Sequence, residues 1–184
     1  MALADPDLTG STAFITGTTR GIGKALALAL AEQGCNVVST GKTTDEDDSE
    51  LAGSIEQTAR EVRERGPDAL ALELDLRDET RVEAVVEEAI DHFDEIDIVI
   101  NNASAIQLAN IADLPANRFD LLTDVNVRGT HLVAHCFADH LAGQEESWLL
   151  SNSPPVVTDR SPGKAPYAWS KLGMSFVTLS LAEE

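Results

Sequence analysis

Short apolar runs of strand length alternate along this chain with stretches of helical spacing, and that alternation constrains the fold more than any other feature. Ser11–Thr16, Asn36–Thr40, Ala69–Leu74, Ile96–Ile100 and Trp148–Ser151 read as five strands. Lys24–Gln33, Leu51–Arg65, Glu79–Phe93, Phe119–Leu141 and Tyr167–Glu184 read as helices. In Glu79–Phe93 the residues Val82, Val85, Val86, Ala89 and Ile90 share one face, at the spacing of a half-buried helix. Gly34 and the Gly66-Pro67 pair close the first two helices. Single strands separated by single helices predict an α/β fold: a parallel sheet covered on both faces and doubly wound by right-handed crossovers. With no internal repeat, linker or low-complexity segment, residues 1–184 are expected to form one domain.

Charge narrows the partners. There are 32 acidic residues against 13 basic ones, a formal charge of -19. A phosphate backbone or an anionic membrane needs the opposite balance, so neither nucleic acid nor a membrane is an expected partner. Lysines number four (Lys24, Lys42, Lys164 and Lys171). Such a surface repels itself in dilute salt and is screened within ~3 Å at molar salt, so a salt-rich cytoplasm is the expected setting. Cys35 and Cys136 lack metal-ligand spacing and read as buried free thiols of a reducing compartment. Met1–Thr9 has no apolar run, and no segment approaches the ~18 apolar residues of a membrane span.

Between the first strand and the first helix lies Thr16-Gly17-Thr18-Thr19-Arg20-Gly21-Ile22-Gly23. Glycines there permit a tight turn and close approach of a ligand to the backbone, and the following helix N-terminus favours an anion. The alternative is a strand-to-helix turn without a ligand. Further along stand Asp75-Leu76 after the third strand and Asn101-Asn102-Ala103-Ser104 after the fourth. Asn126 lies within Val125-Asn126-Val127, and Tyr167-Ala168-Trp169-Ser170-Lys171 opens the last helix.

These five patterns, in this order and covering essentially the whole chain, resemble the short-chain dehydrogenase/reductase family. Asn101–Ile106, Ser153-Pro154-Pro155 and Leu172–Ser175 are similar to its hydroxysteroid dehydrogenase-like branch. The resemblance implies a Rossmann-like sheet and hydride transfer between a nicotinamide and a carbonyl or secondary alcohol. It implies a dinucleotide held by Gly17, Thr18, Thr19, Arg20, Gly21, Ile22, Gly23, Lys42, Asp75, Leu76, Asn101 and Lys171, with Asp75 beside the adenine. The implied catalytic residues are Asn126, Ser153, Tyr167 and Lys171, with Asn126 holding a water that relays protons to Lys171. No metal is implied. The helices near Phe119–Leu141 and Tyr167–Leu181 are the family's common subunit interface, which makes a homo-oligomer an expectation. The family also carries two further strands and a substrate-closing loop that are not found here, so the chain reads as C-terminally truncated.

Within that resemblance, charge chooses the cofactor. An acid at the end of the second strand would accept the ribose 2′-OH of NAD and repel a 2′-phosphate. Gly41 stands there, followed by Lys42, with Arg20 on the same side, so NADP is expected over NAD. The competing reading makes Lys42 a solvated lysine paired with Asp45, Glu46, Asp47 or Asp48. Tyr167 and Lys171 are four apart, hence on one helix face. An ammonium near a phenol, whose ordinary pKa is about 10, favours the phenolate and suits the tyrosine to proton transfer. The serine is less regular. Spacing from Tyr167 puts the family's serine position on Pro154, which has no donor, so Ser153 is the candidate, with Ser151 behind it. That irregularity leaves a catalytically silent dinucleotide-binding or interaction protein as the alternative. His131 and His135 read as a helix-face pair, and Trp148 and Trp169 as packing residues.

Overall fold

The computed structural model describes residues 6–45, 52–154 and 162–184. Five strands form one parallel sheet: β1 (Thr12–Thr16), β2 (Asn36–Gly41), β3 (Ala69–Glu73), β4 (Ile98–Asn101) and β5 (Trp148–Ser151), in the order β3-β2-β1-β4-β5. Helices α1 (Gly21–Glu32) and α2 (Ile55–Arg63) cover one face. On the other face α3 (Glu79–Phe93) and α5 (Gly129–Ala142) pack on the sheet, and α6 (Ala165–Leu181) packs on α5 and β5. A short α4 (Ala116–Leu122) runs through a π-helical turn, Thr123–Arg128, into α5.

Alternation along the strands builds the two cores. Ala13, Ile15, Val37, Ile98 and Ile100 point towards α1 and α2, whereas Phe14, Val38 and Val99 point towards α3 and α5. Every residue of β1 is buried, as a central parallel strand requires. Phe14 meets Phe137 of α5 edge-to-face, with ring centroids 5.0 Å apart. That geometry adds about 1 kcal/mol beyond the area each ring removes from water. Ser54 and Asp78 cap α2 and α3 by accepting from the main-chain N–H of Gln57 and Arg81.

The expected doubly wound sheet is present, and its element boundaries differ in instructive ways. Helix α1 begins at Gly21, three residues before Lys24, because Gly21 and Gly23 are part of its first turn rather than of the loop. The long helix expected at Phe119–Leu141 spans 116–142 and contains the π-helical turn. Trp148, expected to pack, is 56% exposed, because β5 is an edge strand with one paired side among the described residues. Trp169 is 49% exposed and stacks on Phe119 of α4 at 5.4 Å. Cys35 is buried, whereas Cys136 is half-buried. Among the described residues no helix is long and apolar enough to cross a membrane.

The strand order reverses between β1 and β4. The first crossovers run outward from β1 to β3, and the chain then returns to β4 on the other side of β1. Such a reversal opens a crevice beyond the carboxyl ends of the two strands. Thr16 ends β1 and Asn101 ends β4.

Candidate active site

A cleft of about 1460 Å³ opens at this crevice. Thr16 fixes its floor. The Thr16 hydroxyl accepts from the main-chain N–H of Asn102 and of Ala103, both at 3.0 Å, and donates to the Ile100 carbonyl. The Asn102 amide then ties three segments together. Its Nδ2 donates to the carbonyls of Thr16 and Gly17 at 2.9 and 3.0 Å, and its Oδ1 accepts from Asn152 Nδ2 at 3.0 Å. The glycine turn, the end of β4 and the segment after β5 are therefore one hydrogen-bonded unit.

Glycine is required where that unit is tightest. Gly17 has φ +76, and a Cβ there would lie 2.9 Å from Ala103 Cα. A Cβ on Gly23 would lie 2.1 Å from the Gly17 carbonyl oxygen and 2.4 Å from Asn102 Nδ2. The turn thus presents bare backbone to the cleft. Arg20 is the N-cap of α1 in extended conformation and makes no side-chain cap, and the first turn holds no acid. The free N–H groups of that turn are suited to an anion.

The structure brings many of the sequence candidates to this one cleft. Gly17, Thr19, Arg20, Ile22, Gly23, Lys42, Asp75, Leu76, Ser153, Tyr167 and Lys171 all line it. Thr18 lies beneath the turn, with Oγ1 2.6 Å from Ser39 Oγ and 3.1 Å from the Thr40 carbonyl. Gly21, at φ +61, faces open space beside the cleft. Asn101 is buried, 1% exposed, and does not line the cleft; its neighbour Asn102 does. Asn126 is fully buried behind the wall.

Charge is sharply sorted. Of the chain's 13 basic residues, Arg20, Lys42, Arg77, Lys164 and Lys171 line the cleft, whereas of its 32 acids Asp75 alone does so among the described residues. A chain with so large an acidic excess has gathered cations around one concavity. Asp75 is held by Arg77 and by Lys42, whose Nζ lies 3.0 Å away. Hydrogen bonds from Arg77 are the main cause that keeps its carboxyl well below the usual carboxylate range. Arg20 Nη1 is buried and has no hydrogen-bond partner among the described residues. Position 41, where an acid would exclude a 2′-phosphate, is a glycine. A Cβ there would come within 3.1 Å of methyl carbons of Thr19 and Ile55. Of the acids that the sequence offers as partners for Lys42, Glu46, Asp47 and Asp48 lie outside the described residues.

At the other end of the cleft, α6 carries Tyr167 and Lys171. Lys171 is 4% exposed, and its Nζ lies 3.1 Å from Met174 Sδ. Burial among weak acceptors pushes its pKa down to about 8. Asn126, in the π-helical turn, makes three side-chain bonds. Oδ1 accepts from Ala105 N at 2.8 Å, and Nδ2 donates to the Ala105 carbonyl at 3.0 Å and to Ser170 Oγ at 2.9 Å. Ser153 Oγ donates to the Lys171 main-chain carbonyl at 2.9 Å. Ser151 instead lies 2.6 Å from Thr178 Oγ1, away from the cleft. Asn102, Asn152, Ser170, Arg77 and Lys164 were not among the residues picked from sequence. Asn102 and Ser170 lie inside motifs of the sequence; Asn152, Arg77 and Lys164 join the site only once distant segments meet.

His131 and His135 stack on the exposed face of α5, ring centroids 6.0 Å apart, and among the described residues no three His, Cys, Asp or Glu side chains come together.

Comparison with known proteins agrees with this geometry. The family described as short chain dehydrogenase matches residues 11–184. The chain belongs to that family. It is 42% identical to human hydroxysteroid dehydrogenase-like protein 2 over 96% of its own length and 43% of that protein's. It spans less than half the length of the curated relatives it matches. A putative dehydrogenase from Xanthomonas campestris is 40% identical with a TM-score of 0.90, covering 97% of this chain and 67% of that one. A metagenomic short-chain oxidoreductase in complex with NADP superposes with a TM-score of 0.84 at 25% identity, covering 96% and 77%.

Proposed function

We propose that this chain carries the dinucleotide-binding and proton-transfer machinery of an NADP-dependent oxidoreductase acting on a carbonyl or secondary alcohol. The observation that carries this reading is the sorting of charge: five cations and one neutralised carboxylate around a cleft with an uncapped helix terminus. A dinucleotide with a 2′-phosphate is the most highly charged cofactor of this class, and it suits Arg20 Nη1, unpartnered among the described residues, and the glycine at position 41. The bound nicotinamide would supply or receive the hydride.

The chain's own residues divide the remaining work. Gly17–Gly23 and the α1 terminus bind pyrophosphate; Arg20 and Lys42 bind the 2′-phosphate; Asp75 and Leu76 flank the adenine. Tyr167 gives a proton to a carbonyl oxygen or takes one from an alcohol. Lys171, as ammonium, favours the phenolate. Asn126 spends its side chain on Ala105 and Ser170 and so positions the wall that holds both. The Ser153 proton is engaged with the Lys171 carbonyl and is not free for a substrate oxygen. That engagement favours a second reading, a binder without turnover.

Titration with NADPH and NADH tests the cofactor, and Tyr167→Phe tests the chemistry. Saturable binding that prefers NADPH is expected. In this chain, or a longer form that turns over, Tyr167→Phe should abolish carbonyl reduction and leave NADPH affinity unchanged. Tighter NADH binding would overturn the cofactor assignment, and a Phe variant that still reduces carbonyls would overturn the role of Tyr167.

A further inference from the structure

Asp75 is gripped by two cations that are not equivalent. Arg77 Nε lies 3.0 and 3.2 Å from its two oxygens, Nη2 lies 2.5 Å from Oδ2, and the Arg77 main-chain N–H donates to Oδ1 at 3.1 Å. Lys42 Nζ reaches the same Oδ2 at 3.0 Å from a side chain that is 63% exposed. Arg77 is two residues from Asp75 and matches both oxygens with a planar fork, whereas Lys42 is a point charge on a flexible stem from the bend after β2. When a second anion enters the cleft, Lys42 is the cation free to turn towards it.

We propose that Arg77 is a specificity-determining residue of the dinucleotide site: by neutralising Asp75 where it stands, it releases Lys42 for the 2′-phosphate. This rests on the NADP reading above. Without Arg77, Lys42 is the only ionic partner left to Asp75 among the described residues, and the carboxylate competes with the phosphate for it. The bare carboxylate would also face an incoming phosphate dianion in the same cleft. Both effects weaken NADPH. Neither touches NADH, which brings a hydroxyl that a free carboxylate can accept from. Arg77 therefore acts through Asp75 as a positioning residue, on selectivity rather than on binding as a whole. Its side chain is not needed to hold the loop: Asp78 N donates to the Asp75 carbonyl at 3.0 Å, and Arg128 Nη1 donates to the Arg77 main-chain carbonyl at 3.3 Å.

A double-mutant cycle on the 184-residue chain tests this without a substrate. Wild type, Arg77→Ala, Arg77→Gln, Asp75→Asn and the Asp75→Asn/Arg77→Ala double variant are titrated with NADPH and NADH at one ionic strength, with circular dichroism to verify folding. Arg77→Ala and Arg77→Gln should each lower the NADPH-over-NADH preference about fivefold, through NADPH. In the Asp75→Asn background, Arg77→Ala should change nothing. Persistence of the effect in that background would mean that Arg77 meets the phosphate itself, and equal weakening of both cofactors would mean that it only braces the loop; either overturns the inference. A wild-type chain that prefers NADPH, with a preference indifferent to Arg77, overturns the inference alone. A wild-type chain that prefers NADH overturns the NADP reading beneath it.

Discussion

Asn126 Nδ2 donates to Ser170 Oγ at 2.9 Å, and that hydroxyl donates in turn to the main-chain carbonyl of Tyr167 at 2.8 Å. Asn126 and Ser170 are fully buried, so the relay joins the π-helical turn to the turn of α6 that bears the tyrosine. The two ends are unequal. Asn126→Ala strands the N–H and carbonyl of Ala105 as well as Ser170, and should cost about 3 kcal/mol. Ser170→Ala leaves Asn126 its bonds to Ala105 and should cost about 1 kcal/mol. Urea unfolding with unchanged slope measures both. A serine variant as damaging as the asparagine variant would mean that the relay is not the main role of Asn126.

The glycine turn makes a sharper comparison. Gly21 and Gly23 are two residues apart in the same first turn of α1. A methyl at 23 would collide with the Gly17 carbonyl oxygen at 2.1 Å, whereas a methyl at 21 meets nothing within 4 Å and suffers only a φ of +61. Gly23→Ala should therefore part the turn from Asn102, cost more than about 3 kcal/mol and abolish dinucleotide binding. Gly21→Ala should cost about 1 kcal/mol and leave a folded chain. Thermal melts with and without NADPH separate the cases; equal losses would place the constraint in backbone conformation rather than in space.

The difference between those glycines marks the boundary of what the sequence discloses. Strand and helix alternation was legible because each parallel strand is buried on both faces and each helix on one, which writes itself into apolar spacing. The motif residues were legible for their order along the chain. The helical start at Gly21 was not, since glycine reads as turn, and nothing local announces that Gly23 packs on Asn102. The π-helical turn at Asn126 depends on ring size, not on composition. Trp148 read as a packing residue, yet it stands on β5, an edge strand among the described residues. The gathering of Arg20, Lys42, Arg77, Lys164 and Lys171 around one cleft exists only after folding, since those residues are spread over most of the chain. Arg77 escaped notice because it follows Asp75 in what reads as an ordinary polar loop.

Lys171 ties stability to pH with a definite sign. Burial lowers its pKa from 10.5 to about 8, so the unfolded chain holds that proton more tightly than the folded one. Its contribution is unfavourable and fully present below about pH 8. It fades as pH rises from there towards 10.5, so stability gains with pH across that window. Lys171→Met removes the buried ammonium. It should raise stability by up to about 3 kcal/mol below pH 8, with the advantage gone above pH 10.5. Urea midpoints of variant and wild type across this range test it. An advantage that does not change with pH would assign the gain to packing rather than to charge.

Salt should move stability and affinity in opposite directions. The outer face of α3 carries exposed Glu79, Glu83, Glu87, Glu88 and Asp91, one part of a surface with an excess of 19 acids. Repulsion among them is long-ranged in dilute buffer and is confined to ~3 Å at molar salt. The melting temperature should therefore rise between about 0.1 M and about 2 M KCl. The cleft reverses the sign, because Arg20 and Lys42 attract a polyanion through the same screened field. NADPH affinity should fall over the salt range in which the fold tightens, and NADH, lacking the 2′-phosphate, should lose less. Melting curves and NADPH titrations at matched KCl measure both slopes. A melting temperature that drops with salt would assign stability to ion pairs rather than to relief of repulsion, and parallel losses for the two cofactors would deny the cations their role at the 2′-phosphate.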